Sequence, residues 1–207
     1  MYNTIIFDVD GTLINTEKAV LGSLQKMLFV EFNKSYNFDE LSFVLGIPGS
    51  NSLPQLGIKD IDRANDLWNI YMKEFSDSIS VYPGIEDLLG RLHKQKIKIG
   101  IVTSKTRVEL TDDFEPFGLM KYLSYVVCAD DTNLHKPNPE PILKFLEISK
   151  ANPQQSIYIG DTIYDAQCAR DSGVSFGLAV WGADKEIKIH ANHYFNTPNE
   201  ILHYATR

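Results

Sequence analysis

The sequence predicts an α/β protein built on a doubly wound parallel sheet, with a small helical domain inserted after the first strand. Three observations carry this prediction. Short runs rich in β-branched residues recur along the chain, helical patterns separate them, and the region from about 15 to 80 shows helical stripes without a strand. Strand–helix alternation of this kind pairs strands in parallel and covers the sheet on both faces.

The predicted strands are "TIIFDV" (4–9), "IKIGIV" (97–102), "YVVCA" (125–129), "SIYIG" (156–160) and "SFGLAV" (175–180). Each is a short apolar run, as expected of strands buried on both faces. Ile85, Leu88, Leu89 and Leu92 follow helical spacing after Pro83-Gly84. Residues 140–149 and 163–172 read as further helices, the second closed by Gly173 at its C-terminus. In the insertion, Val20, Leu21, Leu24, Met27 and Leu28 make one stripe, and Trp68, Tyr71, Met72 and Phe75 another. These stripes read as core packing. The expected division is a core of 1–14 and 81–207 with a helical cap of 15–80, hinged at 11–15 and 76–84.

Composition narrows the function. At 207 residues, 43% apolar and 23% charged, the chain can bury a full core. A net charge of −7, with no basic run, argues against nucleic acid and acidic membrane surfaces as partners. No apolar stretch approaches the ~20 residues of a membrane span, and no signal-type start precedes the first strand, so a cytoplasmic location is expected. Cys128 and Cys168 have no metal-type spacing and read as free, buried thiols. His190 and His193 read as structural, and His135 as solvent-facing.

Reactive side chains gather where such folds bind ligands, at the carboxyl ends of the strands. Asp8 and Asp10 end the first strand, Thr103, Ser104 and Lys105 follow the second, and Lys136 lies beyond the third. Asp161 follows the fourth directly, with Asp165 one helical turn later. Two carboxylates at i and i+2 of an extended chain share a face and raise one another's pKa unless a proton or cation sits between them. A calcium-loop reading of "DVDG" is the main rival. Glu17 stands six after Gly11 as that loop requires, but its first ligand position holds Ile6.

The set "DVDGT", the Thr of "GIVTSK", the Lys of "HKPNPEP" and "GDTIYD", in that order and each after its strand, resembles the haloacid-dehalogenase-like (HAD) superfamily. Within it, the chain is similar to the phosphoglycolate-phosphatase-like group, including pyrophosphatase members, which carries a helical C1-type cap on a Rossmann-like core. The resemblance implies that Asp8 attacks phosphorus to form an aspartyl-phosphate and that Asp10 acts as general acid, then general base. It implies Mg²⁺ held by Asp8, the Asp10 backbone carbonyl and Asp161, with Asp165 in the first or second metal shell. Thr103, with Ser104, Gly11 and Thr12 nearby, would bind the phosphoryl group, and Lys136 would offset negative charge. Lys105 ranks second for that cationic role, and Asp130 and Asp131 stay outside the site.

Asp10 argues against the dehalogenase branch, which lacks this carboxylate, and the phosphonate-cleaving branch, which has a small residue there. The expectation is therefore a Mg²⁺-dependent phosphatase acting on a small phosphorylated metabolite, as a monomer or homodimer. The alternative is a phosphomutase of the β-phosphoglucomutase type, and a third is a non-catalytic phospho-acceptor module. The cap loop "LGIPGSNSL" (45–53) has no Arg or Lys to hold a second phosphate, which favours the phosphatase.

Overall fold

Strand β1 (Thr4–Phe7) lies at the middle of the sheet, and every other strand is placed by reference to it. The computed structural model describes residues 1–206. After β1 the chain passes through β2 (Ile14–Asn15), α1 (Glu17–Phe32), α2 (Phe38–Leu41), α3 (Gly49–Ser52) and α4 (Ile61–Lys73). It returns through β3 (Ser80–Val81), α5 (Ile85–Lys94), β4 (Lys98–Val102), α6 (Arg107–Asp113) and β5 (Tyr125–Val127). The remainder is α7 (Glu140–Ser149), β6 (Ser156–Gly160), α8 (Ile163–Asp171), β7 (Ser175–Ala179) and β8 (His193–Phe195).

The main sheet has six strands in the order β5-β4-β1-β6-β7-β8, all parallel. Phe7 faces Ile101 of β4 on one side and Ile159 of β6 on the other. β1 leads on to β4 and β6 to β7, so their connections leave in opposite directions and open a crevice between their carboxyl ends. β8 has no counterpart among the predicted strands. It holds only three residues, and its polar His193 sits in a ring cluster with Tyr2, Phe195 and Tyr204 rather than in an apolar run.

Several strands end earlier than expected, each for a local reason. β1 stops at Phe7 because the Val9 carbonyl accepts from the backbone N–H groups of Thr12, Leu13 and Ile14, folding the chain into a turn. β5 stops at Val127 because the Asp131 carboxylate accepts from the Cys128 N–H at 2.8 Å and closes a turn at Ala129–Asp131.

β2 and β3 pair antiparallel, Ile14 opposite Val81, so the two connections to the helical region run side by side. Within that region α1 packs on α4. Leu21, Leu24, Met27 and Leu28 are buried against Trp68 and Met72. The Trp68 indole N–H donates to Ser23 Oγ at 2.9 Å in the buried seam, so the large ring is satisfied at its polar atom too. No strand occurs between residues 17 and 78 among the described residues.

Candidate active site

The crevice between β1 and β6 is built on a turn that glycine permits. Gly11 has φ +73°, and a Cβ there would lie 2.1 Å from Asp161 Oδ2. The bare backbone lets the turn after β1 approach the carboxylate after β6, where a side chain would be both strained and blocked. Thr12, next in the turn, is buried and donates its hydroxyl to Asp161 Oδ1 at 3.0 Å. This differs from the expectation that Thr12 helps bind the phosphoryl group. The turn points its side chain into the protein, where it orients Asp161.

Two lysines divide the carboxylates at the rim. The ammonium of Lys136 is 1% exposed and donates to Asp8 Oδ1 at 2.8 Å, Asp165 Oδ1 at 2.7 Å and the Tyr158 hydroxyl at 3.2 Å. Its three protons are thus placed. Tyr158 donates its own proton to the Val102 carbonyl at 2.8 Å, fixing one wall of this nest to β4. The paired carboxylates raise the Lys136 pKa despite burial, and the lysine stays charged. Burial lifts Asp8 to about 7; Lys136 opposes the rise, while Asp165 and Asp10 add to it. Burial, then Asp165 and Asp8, also holds Asp161 well above the usual carboxylate range.

The second lysine, Lys105, lies 3.3 Å from Asp10 Oδ1 and 2.6 Å from Asp113 Oδ2. Thr16 donates to the same Asp10 oxygen at 2.7 Å, leaving Asp10 Oδ2 unengaged among the described residues. The two acids expected to crowd one strand end each meet a lysine of their own, Asp8 with Lys136 and Asp10 with Lys105, and Asp10 still adds to the raised pKa of Asp8. Lys105 is a partner of Asp10 rather than a substitute for Lys136. Asp113 and Thr16 were not foreseen. Asp113 comes from α6 and Thr16 from the start of the insertion, and neither belongs to a local pattern in the sequence.

Thr103 is buried, and its Oγ1 accepts from the Lys105 backbone N–H at 3.1 Å, which fixes the turn after β4. Ser104 lines the cavity and donates to the Gly46 carbonyl of the insertion at 2.9 Å. Asp165 is fully buried. Besides Lys136, it accepts from the Thr162 N–H at 3.0 Å and the Thr162 hydroxyl at 2.6 Å, in the capping box of α8. His135 departs from its expected place in solvent. It is half-buried in a groove beside Pro48 and Asn65, with a buried Nδ1 that has no partner among the described residues. Both cysteines are free and buried, and burial pushes each thiol up to about 12.

A metal fits the floor of this cavity. Oxygens of Asp8, Asp161 and Asp165 lie within 4.8 Å of one another. Asp8 Oδ2 is buried without a hydrogen-bond partner among the described residues. An all-oxygen carboxylate set with an unsatisfied buried oxygen suits a hard divalent cation. A second grouping, Cys128 with Asp130 and Asp131, is already engaged by Arg107. The Arg107 guanidinium reaches Asp131 at 2.6 Å, and its backbone N–H reaches Asp130.

The roof of the cavity comes from the insertion and includes Val44, Ile47, Asn65, Trp68, Asn69 and Met72. Tyr82, beyond β3, closes one side. Burial and the nearby Asp161, Glu17 and Asp10 carboxylates push its phenol up to about 12, so it remains a donor at neutral pH.

Residues 5–179 match the profile of the haloacid dehalogenase-like hydrolases. The chain is 30% identical to pyrophosphatase PpaX of Halalkalibacterium halodurans over 97% of this chain and 95% of that protein. A Lactobacillus plantarum crystal structure, of a candidate phosphoglycolate phosphatase, superposes with a TM-score of 0.89 at 32% identity, covering 99% of both chains. A haloacid dehalogenase-like hydrolase from Bacteroides fragilis gives 0.85 at 25% identity, over 97% of this chain and 100% of that one. With its acids and lysines gathered at the β1/β6 crevice, the chain belongs to the haloacid dehalogenase-like hydrolases and is an enzyme of their phosphatase group.

Proposed function

We propose that the protein hydrolyses a small phosphorylated metabolite in the cytoplasm through a covalent aspartyl-phosphate on Asp8, with Mg²⁺ as cofactor. The observation that carries this reading is the state of Asp8. It is a buried carboxylate with one oxygen held by Lys136 and the other unpartnered, beneath a cavity that also holds Asp10.

A carboxylate oxygen of Asp8 bonds to phosphorus as the bond to the leaving oxygen breaks. Asp10 gives its proton to that leaving oxygen. It then takes a proton from the water that attacks phosphorus, and the Asp8–phosphorus bond breaks to release inorganic phosphate. Thr16 and Lys105 hold Asp10 Oδ1, which directs the free Oδ2 to this proton traffic. Lys136 keeps Asp8 oriented and offsets charge on the phosphoryl oxygens. Asp8, Asp161 and the Asp10 backbone carbonyl would hold Mg²⁺. Asp165, with its oxygens taken by Lys136 and Thr162, serves from behind. When bound, the cation shields the phosphate charge from the attacking carboxylate.

The helical region, 15–80, acts as a cap that opens at the paired β2 and β3 connections and closes over the site to exclude water. The test is acid-quenched turnover of p-nitrophenyl phosphate with Mg²⁺. Wild-type protein is expected to release phosphate and to gain the mass of one phosphoryl group on the peptide containing Asp8. Asp8→Asn is expected to lose both, by at least ~10⁴-fold in rate. Equal activity in the variant, or phosphate release without a phosphopeptide, overturns the mechanism.

A further inference from the structure

The phosphoryl group is met by charge, but the space above it is not. Resting on the phosphatase reading, this contrast narrows the substrate. Among the described residues, Lys105 and Lys136 are the only cationic side chains that line the cavity. Each is already held between two carboxylates, Lys105 by Asp10 and Asp113, Lys136 by Asp8 and Asp165. Neither has charge to spare for a second anion.

The roof adds no cation. Val44, Ile47, Trp68 and Met72 give it an apolar surface. Asn65 and Asn69 face it from α4, half-buried, and no hydrogen bond within the described chain occupies either side-chain amide. The close approach of Asn65 is built in, since a Cβ on Gly49 would meet its Oδ1 at 2.0 Å. Glu17 also lines the cavity, exposed and without an ion-pair partner among the described residues. A leaving group that enters therefore meets apolar surface, two open amides and a free carboxylate.

We infer that the leaving group this cavity accepts carries no negative charge, so that the substrates are phosphomonoesters of neutral or amine-bearing alcohols. A leaving group that is a phosphate or bears a carboxylate would be desolvated against apolar walls and repelled by Glu17, with no free cationic side chain among the described residues to receive it. On this inference the chain does not share the substrate that the name of its similar relative, a pyrophosphatase, states. It also disfavours the phosphomutase alternative, whose intermediate must retain a second phosphate.

The test compares kcat/KM, with saturating Mg²⁺, for phosphoethanolamine and glycerol phosphate against phosphoglycolate and pyrophosphate. The first pair is expected to exceed the second by at least ~10-fold. A second arm uses Asn69→Arg and Glu17→Gln, each confirmed as folded by thermal unfolding. Asn69→Arg adds a roof cation and is expected to raise the phosphoglycolate-to-phosphoethanolamine ratio by about 10-fold. Glu17→Gln is expected to raise it by about 3-fold, and it stands as the test if Asn69→Arg does not fold. Wild-type preference for either anionic substrate, or ratios unmoved by the folded variants, overturns the inference and leaves the phosphatase reading intact. Failure to hydrolyse any of the four, with no phosphoenzyme formed, overturns the phosphatase reading and this inference with it.

Discussion

The floor and the roof of the cavity are opposites. The floor, from the sheet's carboxyl edge, holds Asp8, Asp161, Asp165 and Lys136 with almost no exposure and fixed partners. The roof, from the insertion, presents apolar side chains and the amides of Asn65 and Asn69, which have no hydrogen bonds among the described residues. Phosphoryl transfer needs placed charges whatever the substrate, and on the proposed mechanism its groups are locked together in the turns and the helix start that follow β1, β5 and β6. Selection of a leaving group needs only a surface, and a surface can change residue by residue without disturbing the chemistry.

The largest expected break in this contrast comes from the lysines. Lys136→Met leaves Asp8 and Asp165 buried and uncompensated. It is expected to lower unfolding free energy by ~3–5 kcal/mol and kcat by about 10³-fold. Lys105→Met uncovers carboxylates that are 24% and 13% exposed. Its expected cost is smaller, about 10- to 100-fold in kcat and under ~2 kcal/mol. Chemical denaturation and steady-state kinetics on both variants check the ranking, and equal losses would mean that the two lysines are equivalent.

On the roof, Trp68→Ala is expected to destabilise the protein by about 3 kcal/mol, because it empties the α1–α4 seam and removes the hydrogen bond to Ser23 Oγ. Its rate of phosphoenzyme formation at saturating substrate should change less than ~10-fold, while KM rises. A collapse of that rate would place the roof in the chemistry.

Metal binding sharpens the floor from another side. Asp8 sits at about 7 rather than its ordinary 3.8, chiefly through burial. A raised carboxyl binds its proton more tightly in the folded state, so in the metal-free protein the contribution of Asp8 to stability falls as pH climbs from about 4 through 7. A divalent cation competes with that proton. The gain in Tm on adding Mg²⁺ should accordingly be several degrees larger at pH 8 than at pH 6. Differential scanning fluorimetry at the two pH values is the measurement, and a larger gain at pH 6 would contradict the site.

The smallest effect belongs to the seam between floor and roof. Ser104→Ala removes the hydrogen bond to the Gly46 carbonyl. It is expected to cost ~1 kcal/mol or less and to raise KM two- to fivefold, with kcat little changed. Stopped-flow binding of a non-hydrolysed phosphate analogue should show the change in the dissociation rate.

Much of the floor was legible in the sequence because its residues stand beside strand ends, where a few letters report both element and position. Asp8 and Asp161 are of this kind, Lys136 follows in the loop beyond β5, and the structure brings all three to one crevice. The strands themselves were visible as apolar runs, and the α1 and α4 stripes as helical spacing. What escaped was set by contacts between distant residues. Asp113 and Thr16 gain meaning only because Lys105 and Asp10 reach them. Tyr158 looks like one more apolar strand position until Lys136 is found against its hydroxyl. His135 looked like a surface residue because nothing adjacent in sequence reveals the groove formed by Pro48 and Asn65. β8 was missed because a three-residue strand with alternating polarity has no period long enough to read.

By itself, the sequence determined the α/β alternation and the acids that follow the strands. These follow from local periodicity and from the rule that loops at one edge of a parallel sheet meet. Only the tertiary structure decided which lysine serves which carboxylate. It also turned Thr12 toward Asp161 and left the roof without a cation. Those outcomes depend on distances between elements far apart in the chain, and electrostatics and packing act through distance in space rather than separation in sequence.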